Sequence, residues 1–186
     1  MAGRLRTIDA RTLADAVLEP PGYAVKDLLV QGLHILAGAP KTGKSWLALW
    51  LCQQVAGGEK VWGHPTQQGT VLYLCLEDTY ARIQSRLYKI TDEAPAELRI
   101  ATTSFQIGNG LEQQIEQYLT DFPQTKLVII DTFQKVRDSK STGGKSGMYA
   151  GDYDDVSALK NISDKYGIAV VVVHHVRKLK DATDPF

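Results

Sequence analysis

Charge of one sign is missing from this chain: 21 Lys and Arg residues are matched by 21 Asp and Glu, leaving a formal net charge of zero. No overall field draws it toward nucleic acid or an anionic membrane, so any such binding must rest on a local patch. Cysteine is scarce as well. Cys52 and Cys75 both lie in apolar runs, where a thiol packs as a small hydrophobe. Two such thiols fit a reducing cytosol and exclude a disulfide framework. Long apolar runs are absent: the longest, such as the "IAVVVV" at Ile168–Val173, fall far short of the roughly 20 residues that a membrane span needs. The two Arg of "MAGRLRTIDA" are followed by no apolar h-region, so no signal peptide is expected. With 186 residues, of which 44% are hydrophobic, the chain has one ordinary domain's worth of material. The expectation is a soluble cytoplasmic protein with no membrane partner.

What is present is a repeating alternation. "IDARTLADAVL" can form one short helix, closed by "EPPG", and residues 1–21 read as an N-terminal extension. From about residue 22 a regular pattern begins. "GLHILAG" is an apolar run ending in Gly, followed by a loop and by "SWLALWLCQQVAGG", with helical spacing at Leu47, Leu51 and Val55 and a Gly57-Gly58 stop. A polar loop, "EKVWGHPTQQG", leads to the run "TVLYLCLE". The helix "TYARIQSRLYKITD" follows, with Thr79 as its N-cap. Next come a short strand "LRIAT", a helix "LEQQIEQYLTDF" and the run "KLVIID". A long polar stretch, "SKSTGGKSGMYAGD", has no apolar period and reads as a loop. Its "STGGKSG" lacks a leading Gly and a preceding strand, so it is read as linker. "YDDVSALKNISDKYG" is the last helix and "IAVVVVHH" the last strand. Apolar strands alternating with helices predict an α/β fold, with a mainly parallel sheet of about five strands covered on both faces.

Gly38, Gly43, Lys44 and Ser45 satisfy G-x-x-x-x-G-K-[ST] in full, between a strand and a helix. A triphosphate needs converging donors and no side chains in the way. Glycines let the backbone wrap the phosphates so that N–H groups point inward at a helix N-terminus. Lys44 adds charge near the β and γ oxygens, and the Ser45 hydroxyl can complete the shell of a Mg²⁺ ion. The expected nucleotide contacts run through Gly38, Ala39, Pro40, Lys41, Thr42, Gly43, Lys44, Ser45 and Trp46. Asp131 follows four consecutive apolar residues and should sit at the C-terminal end of a buried strand, where ligands bind in open α/β sheets. There it would hold Mg²⁺ opposite Ser45. Glu77 ends the preceding apolar run and should reach the same rim, able to activate the water that attacks the γ-phosphate. Asp78 is expected to cap or nearly cap the next helix. His174 and His175 end the last strand. Adjacent strand residues point to opposite faces, and no further Cys or His lies at metal-ligand spacing. One His is therefore expected beside the nucleotide and the other in a structural role.

"GAPKTGKSWLAL", "VLYLCLED", "LVIIDTFQKVR" and "VVVVHHVRK", in this order and spacing, resemble the RepA-type hexameric replicative helicases. That group of RecA-like P-loop ATPases, of the AAA kind, is often found on plasmids and phages. The resemblance spans roughly residues 22–180. It implies strand order 3-2-4-5-1, ATP and Mg²⁺ as cofactors, Lys44 and Ser45 on triphosphate and metal, Glu77 as hydrolytic base, Asp131 as metal acid, and His174 and His175 as γ-phosphate sensors. It also implies a hexameric ring that uses an Arg from the next protomer and threads single-stranded DNA past inner loops. The polar stretch from about Gln134 to Asp154, with Lys135, Arg137, Lys140 and Lys145, falls where the first such loop would be. In the family, further strands follow the His-bearing one, so the chain resembles a form shortened at its C-terminus. The strand Leu33 to Ala37 is then expected at an exposed edge.

Three functions follow from the same cradle. One is a Mg-dependent ATPase core of a DNA helicase in plasmid or phage replication. A second is a module that holds ATP or ADP with little turnover, for want of the trans-acting Arg. A third is a small-molecule kinase with Arg82 and Arg86 as a lid, although arginines one helical turn apart more often form a solvated face.

Overall fold

A computed structural model describes residues 5–18, 20–137 and 147–176. A short helix α1 (Ala10–Asp15) is capped by Asp9, whose side chain accepts from the Thr12 amide. A small antiparallel hairpin follows, β1 (Tyr23–Val25) and β2 (Leu29–Val30). The main body alternates β3 (Gly32–Gly38), α2 (Lys44–Gly57), β4 (Thr70–Cys75), α3 (Tyr80–Ile90), β5 (Leu98–Ala101), α4 (Leu111–Asp121), β6 (Thr125–Asp131), the short α5 (Phe133–Val136), α6 (Gly147–Tyr166) and β7 (Ala169–His175). β3 to β7 form one five-stranded sheet in the order β3-β7-β6-β4-β5, with every pairing parallel. This is the expected order 3-2-4-5-1 read from its other end, and an α/β RecA-like P-loop fold.

Strand alternation sorts the side chains into two layers. Val71, Tyr73 and Cys75 of β4 join Leu127 and Ile129 of β6 and the apolar flank of α2 in one core. Leu72 and Leu74 join Val128 and Ile130 and the inner faces of α4 and α6 in the other. Leu127, Val128, Ile129 and Ile130 are all fully buried, each contributing about 1.5–3 kcal/mol relative to exposure. Helix α2 lies deep in the first layer, which is why it is apolar on most sides: Ala48, Leu49, Cys52, Val55 and Ala56 are completely covered. It ends at Gly58, whose left-handed backbone (φ 75°) lets its N–H reach the carbonyls of Gln54 and Val55.

Three sequence expectations are corrected. The hairpin β1–β2 was not foreseen, because strands of two or three residues carry no readable period. The loop "EKVWGHPTQQG" is not wholly polar in its placement. Val61 is fully buried, a bridge joins Val61 to His64, and the Gln67 amide donates to Ala24 O (3.0 Å), tying loop to hairpin. The last helix begins at Gly147 rather than Tyr153, so part of the polar stretch is helical. The rest of that stretch, with Lys140 and Lys145, lies outside the described residues. Among the described residues no helix is long and apolar enough to cross a membrane.

Candidate phosphate-binding site at the sheet rim

The parallel register brings the C-terminal strand ends level. Gly38 of β3 pairs with His175 of β7, and Cys75 of β4 with Asp131 of β6. A loop leaving β3 and an acid leaving β6 therefore meet one rim, the place where open α/β sheets bind ligands.

The loop turns into α2 through Gly43, the N-cap residue, at φ 90° and ψ 9°. A side chain there would be strained by the left-handed backbone, although the space beside it is open. Thr42 Oγ1 donates to Ala39 O (2.9 Å) and holds the loop closed on itself. The buried Lys44 amine donates to Gly38 O (2.9 Å) and Ala39 O (2.6 Å), and lies 3.4 Å from Thr42 Oγ1. It is thus held inside the loop by main-chain carbonyls. Lys41, Gly43, Lys44, Ser45, Trp46, Arg86 and His175 line a cleft of about 250 Å³.

Of the two histidines, His175 lines this cleft, while His174 packs edge-on against Phe133 (6.1 Å between ring centroids). His175 Nε2 lies 3.9 Å from Glu77 Oε2. Glu77 sits two residues past the end of β4 instead of within it, and its side chain is 48% exposed. Asp131 is held differently. It is 4% exposed, its Oδ2 accepts the Tyr73 hydroxyl (2.9 Å), and its carbonyl accepts the Leu76 amide (2.7 Å). Thr132 Oγ1 donates to Val173 O (3.0 Å), which ties the same corner to β7. Asp131 is not among the residues that line the cleft. Ala39, Pro40 and Thr42 belong to the loop without lining it either.

Thr79 caps α3 as expected, accepting from the Arg82 amide, and Asp78, the residue before it, is not itself the cap. Asp78 instead receives Arg82 Nε (3.0 Å) and Arg86 Nη1 (2.5 Å) with only 8% of its side chain exposed. Arg86 is not on a solvated face either. It is 16% exposed, and its guanidinium carbon lies 5.5 Å from the centre of the Trp46 ring. A buried carboxylate beside a stacking surface fixes a planar cation well, and Arg86 lines the cleft. The signal was in the sequence as Asp78, Arg82 and Arg86 at successive helical turns. Arg137 lies 3.7 Å from Asp155 and over the Phe133 ring, whereas Lys135 of α5 is exposed.

Burial raises both thiols: Cys52 well above its ordinary range and Cys75 to about 11. Burial, with the Asp131 charge second, also raises the Tyr73 phenol. These three groups stay protonated at neutral pH and act as core.

The donor set suits a nucleotide and its cation. Lys41, Lys44 and Arg86 line the cleft, the right charge for phosphates, and Gly43 adds no side chain to it. No group of three or more His, Cys, Asp or Glu residues gathers among the described residues. A hydroxyl on Ser45 and one buried carboxylate on Asp131 fit Mg²⁺, which keeps several waters and takes phosphate oxygens for the rest of its shell. A family model described as an AAA domain matches residues 2–181 of the chain. No protein of curated function matches it.

Proposed function

The chain belongs to this AAA domain family, nucleotide-binding domains of the ATPase type, and from that premise we propose that it binds ATP with Mg²⁺ and hydrolyses it at the rim of the sheet. The observation that carries the reading is the cleft itself, where Lys44, Ser45, Arg86 and His175 share one wall system and Glu77 stands 3.9 Å from His175. The Gly38–Ser45 backbone and Lys44 take the β and γ phosphates. Arg86 supplies a second positive charge from the same chain. Ser45 and Asp131 would hold the Mg²⁺ ion, which would neutralise charge developing on the phosphate oxygens. Glu77 orients and deprotonates the attacking water, and His175, in contact with it, senses the γ-phosphate. His174 supports that strand end through Phe133.

A steady-state phosphate-release assay on Glu77→Gln tests this. Loss of the general base should lower turnover about 10²–10⁴-fold while ATP still binds. A variant that keeps the unmodified rate would end the assignment.

The finer reading is the motor core of a RepA-type helicase: a homo-oligomeric ring that moves along single-stranded DNA in plasmid or phage replication. The exposed Lys135, just past Asp131, is a suitable phosphate contact for such a strand. Light scattering with and without ATP-Mg and oligo-dT tests it, and a monomer under every condition would remove the ring. The half-exposed Glu77, whose one ion-pair contact among the described residues is 3.9 Å long, favours a second reading in which the cleft binds nucleotide and turns it over slowly. Calorimetric ATP binding without phosphate release would select that alternative.

A further inference from the structure

We propose that Tyr73 is the positioning residue of the cation site: its hydroxyl fixes the Asp131 carboxylate in the orientation that receives the metal. The inference rests on the reading of Asp131 as the Mg²⁺ acid and adds a residue that no motif names.

Tyr73 lies on β4, and its register partner on β6 is Ile129, two residues before Asp131. Both strands are parallel and pleated, so Ile129 and Asp131 lie on one face with Tyr73 and Cys75 opposite them. A hydroxyl at the end of an aromatic ring spans that diagonal; Ser or Thr at the same position would stop short. The ring is completely buried, packed in the core that contains Leu49, Cys52 and Ile129. The donor is therefore held by the whole first layer and cannot swing away. Its bond to Asp131 Oδ2, 2.9 Å, is the one hydrogen bond to that carboxylate among the described residues.

Chemistry explains why this donor is a phenol. A carboxylate awaiting a cation must keep its negative charge. Lys or Arg at position 73 would neutralise it and compete with the metal; a neutral O–H orients one oxygen and leaves the charge in place. The second oxygen then has a fixed direction before any ion arrives, and no rotamer freedom is lost on binding. This is the general role of groups that hydrogen-bond metal ligands, whose removal typically weakens metal binding about 10–100-fold.

The probe is Mn²⁺, followed by the loss of its free electron-paramagnetic signal in the presence of saturating ADP. Tyr73→Phe should raise the Mn²⁺ half-saturation about 10-fold and leave metal-free ADP affinity, measured by calorimetry, within about twofold. In an Asp131→Asn background the same substitution should have no further effect, because its action passes through the carboxylate. Unchanged Mn²⁺ binding in Tyr73→Phe would overturn the proposal. So would equal weakening in both backgrounds, or loss of metal-free ADP binding, each of which would make Tyr73 a packing residue. Failure of the underlying reading looks different: Asp131→Asn alone would then bind Mn²⁺ as the unmodified chain does, and both ideas would fall together.

Discussion

β3 and β6 are each seven residues long, each mostly apolar, and each delivers a candidate site residue to the same rim, Gly38 in one case and Asp131 in the other. Their surroundings are opposite. β6 lies between β4 and β7 and buries Leu127 through Ile130 completely, whereas among the described residues β3 pairs only with β7 and leaves Ile35 59% exposed. Apolar content alone did not decide burial; position in the sheet did. The consequence is a division of labour. The carboxylate that would hold the cation is anchored in the centre, by Tyr73 below it and Leu76 and Thr132 beside it. The loop that would take the phosphates leaves a strand with one neighbour and is closed by its own bonds, chiefly from Lys44 and Thr42. A rigid carboxylate post facing a locally stabilised loop would allow the loop to adjust to a ligand without disturbing the post.

The sharpest way to break this contrast is to cut into the central strand. Ile129→Ala removes a fully buried side chain from the centre and should cost about 2–5 kcal/mol in urea unfolding. If it costs under about 1 kcal/mol, β6 is not the rigid post described.

The next largest effect concerns the functional residues themselves. Lys44→Ala should weaken ATP binding about a hundredfold through loss of a charged donor, yet barely move the melting temperature, since the freed Gly38 and Ala39 carbonyls can turn to water. Asp131→Ala should do the reverse in part: it leaves the buried Tyr73 hydroxyl unpaired, at about 1–3 kcal/mol of stability. Calorimetry of binding beside thermal melts reads both. Equal destabilisation by the two substitutions would erase the distinction between edge and centre.

What could be read in advance follows the same line. The loop from Gly38 to Ser45 was legible because four residues at fixed spacing, between a strand and a helix, describe one piece of chemistry. The strand order and the exposed edge came with the resemblance of the whole set of motifs. Asp131 could be placed at a rim by the apolar run before it, but not its partner: Tyr73 is 58 residues away, and only the pairing of β4 with β6 brings it near. Arg86 was misjudged because two arginines one turn apart resemble a solvated face until the Asp78 carboxylate is found buried beneath them. The start of α6 was hidden by Gly147 and Gly151, poor helix formers that tertiary context overrode.

A third test uses pH. The folded chain raises the Cys75 thiol from 9.0 to about 11 by burial, and the Tyr73 phenol beside it is raised too. A raised pKa means that folding favours the protonated group. The associated stability is fully present below about pH 9 and is lost as pH climbs toward 11. Urea unfolding at pH 8 and pH 10.5 should show a decline to which Cys75 contributes roughly 1–2 kcal/mol. The buried Cys52 thiol, raised in the same direction, adds to it, so Cys75→Ala should reduce the decline by about that share without abolishing it. A slope unchanged by that substitution would locate the alkaline weakness away from the central strands.

The smallest expected effect is the most direct probe of the free edge. Ile35→Lys places a charge on a strand whose side chain here is largely in solvent, and substitutions at such positions usually stay within about 0.5 kcal/mol. The same lysine blunts an edge that has neither charge nor proline among Leu33, His34, Ile35, Leu36 and Ala37, the features by which exposed strands avoid pairing with other chains. Concentration-dependent light scattering should therefore fall while the unfolding midpoint stays put. A loss of about 2 kcal/mol would mean that Ile35 is covered after all, and the phosphate loop would then stand on a strand as firmly held as the one that carries Asp131.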